Sequence, residues 1–119
     1  MTPNKVRQYK KMIAEFMVPN WEDLKQAGFA GTIPAEELYV VAALCIEDYD
    51  SLKYDSSFEW LMNACRKFDR LDPRTWTVDA QFEYAKLSDE LDDCAALYDK
   101  MPLFIQLVKC VKWYNKNIK

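Results

Sequence analysis

Thr75-Trp76-Thr77-Val78-Asp79-Ala80-Gln81-Phe82-Glu83-Tyr84 is the stretch on which the fold class turns. Trp76, Val78, Ala80, Phe82 and Tyr84 alternate with five polar residues, the period of a strand with one buried face. Two considerations oppose a strand. Ala80 to Leu91 is rich in helix formers, and a lone strand needs a partner that the rest of the chain does not offer. The spacing therefore predicts a short extended piece near 75–78, helix from about Asp79, and a mainly α fold.

Outward from there the period is helical throughout. Leu87, Leu91, Cys94 and Tyr98 continue the segment, and Pro102 predicts a break or kink near 100–102. A last helix to about 117 places Phe104, Leu107, Val108 and Val111 inside. Upstream, Ser56 with Glu59 reads as a capping box opening a helix that runs to about Leu71. Its inner stripe is Phe58, Leu61, Met62, Cys65 and Phe68, and Asp72-Pro73 ends it. Residues 48–55 read as a polar connection. The helix expected over 34–47 is apolar around most of its circumference (Leu38, Val40, Val41, Leu44, Cys45, Ile46), which makes it the expected centre of the core. Residues 28–33 read as a hinge-like loop after a short helix capped by Asn20 and ended by Gly28. The first helix, about 4–17, turns Val6, Tyr9, Ile13, Phe16 and Met17 inward and Lys5, Lys10 and Lys11 outward, and Pro19 stops it.

Composition bounds the rest. The chain has 119 residues, 16 Lys+Arg against 19 Asp+Glu, half its residues apolar, two Gly, four Cys and no His. That is the size of a single compact domain of five or six helices spanning 1–119, and too apolar for disorder. A net charge of −3 opposes a general nucleic-acid binder. Without imidazole there is no Ser-His or Cys-His nucleophile and no His-ligated metal. No phosphate-cradling glycine loop appears. Cys45, Cys65, Cys94 and Cys110 lack the spacing of metal ligands and read as buried thiols. No catalytic residue, cofactor or metal is expected, and the chain reads as non-enzymatic. No apolar run follows Met1-Thr2-Pro3-Asn4-Lys5, and Leu38–Ile46 is too short to cross a bilayer. The expected location is the cytoplasm of a bacterial cell, with no membrane partner.

The candidate surface residues form three groups. Lys109, Lys112 and Lys116 share one face of the last helix beside Trp113, the lysine-aromatic pairing a single-stranded nucleic acid needs. Asp89, Asp92 and Asp93 crowd the preceding helix and offer an acidic surface. Trp60 and Trp113 lie off the inner stripes of their helices, where they either anchor a partner or form a second packing layer.

Tyr54-Asp55-Ser56-Ser57-Phe58-Glu59-Trp60-Leu61-Met62 and Val108-Lys109-Cys110-Val111-Lys112-Trp113-Tyr114-Asn115 resemble two segments shared by small uncharacterised proteins of gut anaerobes and their phages and mobile elements. In that family a W-L-M helix precedes a C-terminal helix ending in aliphatic-Lys-Trp-Tyr-Asn. The chain departs from it at Asn63-Ala64-Cys65, where the family carries Pro and Val, and over 72–93. No site residue carries over. The resemblance implies a phage or mobile-element accessory protein that works by binding.

The expectation is therefore a non-enzymatic interaction protein that binds and modulates or inhibits a host protein or ribonucleoprotein, a nucleic-acid-guided defence complex being one form. A homodimer is a further expectation. The alternative is a single-stranded nucleic-acid binder using the last helix.

Overall fold

The computed structural model describes residues 1–26 and 34–119. The expected 28–33 hinge and the Gly28 helix end lie outside the described residues. The described residues are mainly helical, with six α-helices and no strand. The chain divides into two compact units, Met1–Lys53 and Tyr54–Lys119.

In the first unit, α1 (Pro3–Met17) begins where the Thr2 hydroxyl accepts from the Lys5 amide, with Pro3 at a position that needs no donor. It packs on α3 (Ala35–Cys45) and on a 3₁₀ turn (Tyr49–Ser51), and α2 (Trp21–Gln26) packs on α3. Arg7 clamps Asp50 with two parallel bonds of 2.9 and 3.2 Å, tying α1 to that turn.

Two expectations fail here. Lys10, placed on the outer face from sequence, is 5 % exposed. It stands four residues after Val6 and three before Ile13, on the inward stripe itself, and its long apolar stem lets it be buried there. The 34–47 helix is not the all-round centre of a core. It buries Val40, Val41, Ala43 and Leu44 and leaves Tyr39 73 % and Ile46 72 % exposed. It closes on Glu47, whose left-handed backbone (φ 56°) lets the Asp48 amide reach the Ala43 carbonyl.

The second unit holds α4 (Phe58–Asp69), a 3₁₀ turn (Pro73–Thr75), α5 (Val78–Ala96) and α6 (Lys100–Asn117). The cap of α4 is Ser57 rather than Ser56, its hydroxyl accepting from the Trp60 amide at 3.4 Å. Leu61, Ala64, Cys65 and Phe68 are buried, while Phe58 and Met62 are only half-buried. The supposed polar connection buries Leu52 and Tyr54. Trp76 and Thr77 are the extended residues expected near 75–78, and Thr77 caps α5 by accepting from the Ala80 amide. The break before the last helix falls at 97–99. Asp99 caps α6, so Pro102 sits inside a first turn where its missing N–H costs nothing.

Candidate functional site

α5 and α6 run antiparallel, and three contacts set their register. The Trp113 Nε1–H donates to Glu83 at 2.7 Å, the Cys110 thiol donates to the Leu87 carbonyl at 3.8 Å, and the Gln106 amide donates to Glu90 at 3.3 Å. They lie where the two helices face each other, with the Trp113–Glu83 bond at the exposed rim. α6 is the most deeply buried element of the unit, with Leu103, Phe104, Leu107, Cys110 and Val111 fully covered.

The aromatic residues settle the ambiguous stretch. Tyr84 lies 5.1 Å from the Phe68 ring, 5.2 Å edge-on from Trp76 and 6.3 Å from Trp113, and its hydroxyl donates to the Phe68 carbonyl at 2.6 Å. Trp76 and Trp113 are 5.8 Å apart. Burial pushes the Tyr84 hydroxyl up to about 12. Trp113 is therefore packed and hydrogen-bonded, and Trp60 is half-buried with its ring edge-on to Tyr54 at 5.1 Å. Both tryptophans form a second packing layer.

The charged candidates do lie outside. Lys109, Lys112 and Lys116 are exposed on α6, and Asp89, Asp92 and Asp93 are exposed on α5. Asp92 differs from its neighbours. Withdrawal from water first, then a hydrogen bond shared with Asp69 and the charges of Asp69 and Asp93, raise its carboxyl above the ordinary carboxylate range. The Ser88 hydroxyl also donates to Asp69, so this corner joins α4 to α5. Among the described residues no group of three or more Cys, Asp or Glu is arranged to hold a metal ion. Cys65 and Cys110 are buried, and desolvation pushes both thiols up to about 12, which makes them poor nucleophiles at neutral pH. Cys45 and Cys94 are half-buried.

Large apolar residues outside the three candidate groups are also exposed on these helices and at the turn between them, among them Tyr98, which the spacing places on the α5 stripe but which falls past the end of that helix. Leu97 is 67 % exposed, Tyr98 82 % and Phe82 73 %, and Met101 and Ile105 are each about half exposed. Tyr98 has left-handed backbone (φ 53°), a conformation that normally selects glycine, and its ring stacks on Phe58 at 5.7 Å. As Glu47 does for α3, this left-handed residue closes α5 just after its last turn. The signal was legible: residues two apart on a helix point about 200° apart, so with Tyr84 inside, Phe82 must be outside.

No helix among the described residues is long and apolar enough to cross a membrane. No family model, curated protein or solved structure matches the chain, so the resemblance at 54–62 and 108–115 stands on those residues alone.

Proposed function

We propose that this chain is a non-enzymatic interaction protein that binds and modulates another macromolecule, a protein or a ribonucleoprotein, through the outer face of α5 and α6. The observation that carries the reading is the apolar cluster where these helices meet. Leu97 and Tyr98, at the turn that follows α5, are two-thirds or more exposed, and Met101 and Ile105 in the first turns of α6 are about half exposed. Exposed aromatic and aliphatic side chains rimmed by charge are the usual anchors of protein partners. The nucleic-acid alternative is weaker, because the Trp113 ring that would stack on a base is packed against Trp76 and bonded to Glu83. The resemblance of 54–62 and 108–115 supports a phage or mobile-element setting, in which a host complex such as a nucleic-acid-guided defence assembly is the target.

A photoreactive benzophenone side chain placed at position 98, in cells of the organism that encodes the chain, tests this. The expected product is a crosslink to one other macromolecule, lost in the Leu97→Ser/Met101→Ser double variant while the helical circular dichroism is kept. Absence of any heterologous product, or its persistence in the double variant, overturns the reading.

A further inference from the structure

We propose that in the free protein the outer face of α5 and α6 is occupied by a second copy of the chain, related by a two-fold axis running along the helices. This rests on reading that face as an interaction surface, and it names the occupant. The argument is charge complementarity. The outer face of α5 carries Asp79, Asp89 and Asp93 against a single Lys86, and that of α6 carries Lys109, Lys112 and Lys116 with no acid. A face with an acidic stripe beside a basic one is self-complementary under a two-fold axis between them, since rotation lays each stripe on its opposite and the contact closes as a dimer.

The register makes the match specific. Glu83 stands level with Trp113, Leu87 with Cys110 and Glu90 with Gln106. An axis parallel to the helices keeps each residue at its own level. Asp89 of one copy then comes within a helical turn of Lys109 of the other, Asp79 of Lys116, and Leu97 of Met101. Leu97, Met101 and Ile105 are thereby covered by their own counterparts at one end, and the two sets of ion pairs along the rest outnumber the one like-charge meeting, Lys86 with Lys112. Size is adequate. Helices of 19 and 18 residues at about 1.5 Å per residue and about 10 Å in diameter offer a face about 28 by 20 Å, so the pair would bury about 1,100 Å², just above the roughly 1,000 Å² a specific interface needs.

Sedimentation velocity on three full-length proteins decides it. Wild type is expected to shift from monomer to dimer with rising concentration, and to lose that shift in high salt. Asp79→Lys/Asp89→Lys and Lys109→Glu/Lys116→Glu are each expected to self-associate about tenfold more weakly or worse. Mixed together they are expected to form a one-to-one heterodimer, because a face left with Asp93 as its one acid then meets one that is predominantly acidic, keeping only Lys86 and Lys112 as bases. That rescue also shows that both variants are folded. A wild type that stays monomeric, variants that dimerise like wild type, or a mixture that does not pair overturns the proposal. The outcome is separable from the preceding reading: a heterologous crosslink from position 98 tests the target, and a crosslink of dimer mass tests the second copy.

Discussion

Asp92 shows how one side chain records its surroundings against its own stability. Its folded-state proton affinity is raised by withdrawal from water and by Asp69, so the folded chain holds a proton there more tightly than the unfolded chain does. The resulting penalty is fully present above the folded-state value, and it vanishes as the pH falls below the unfolded one. Asp92→Asn is therefore expected to raise the thermal midpoint at pH 7, with the gain shrinking toward zero near pH 3. Equal gains at both pH values, measured by circular dichroism melts, would exclude this cause. Lys10 teaches a related lesson about reading charge. Its position between Val6 and Ile13 on one stripe outweighed its ammonium group, because a long stem can be covered while the head finds contacts of its own.

Among elements, the helix ends were the least predictable part. Ser56 and Ser57 are both competent caps followed at short range by helix, and Glu59 makes the capping-box pattern fit Ser56. The backbone chose Ser57, in extended conformation, one residue later. Ser57→Ala should thus cost about 1 kcal/mol of stability and Ser56→Ala less than about 0.5, read as a difference in urea midpoints. The reverse order would restore the capping box. Pro102 was mistaken for a break because a proline is forbidden only where its missing donor matters. Asp99 opens α6 three residues earlier, and the first turn needs no intrahelical donor. Within the 75–84 stretch, Trp76 and Thr77 stay extended and 78–84 is helix, because Tyr84, Trp76, Phe68 and Trp113 pack on one another with Phe82 turned outward.

On the scale of the molecule, the four thiols report the two kinds of burial. Cys65 and Cys110 are covered and shifted up to about 12, whereas Cys45 and Cys94 are half-buried. An aromatic disulfide reagent at pH 8 should titrate two thiols in the native protein and all four in guanidinium. Four equally fast thiols in the native state would contradict the packing of α4, α5 and α6. What the amino-acid order determined by itself was the helical class, the positions of most helices and the exclusion of imidazole chemistry. Those properties depend on composition and on a 3.6-residue period, both local. Tertiary structure decided which aromatic and apolar side chains face out. Trp113 and Trp60 were drawn inward by Glu83, Trp76 and Tyr54, while Tyr39, Phe82, Leu97 and Tyr98 were left exposed. Burial depends on which helix packs against which, a relation between residues far apart in the chain, and no single helix period contains it.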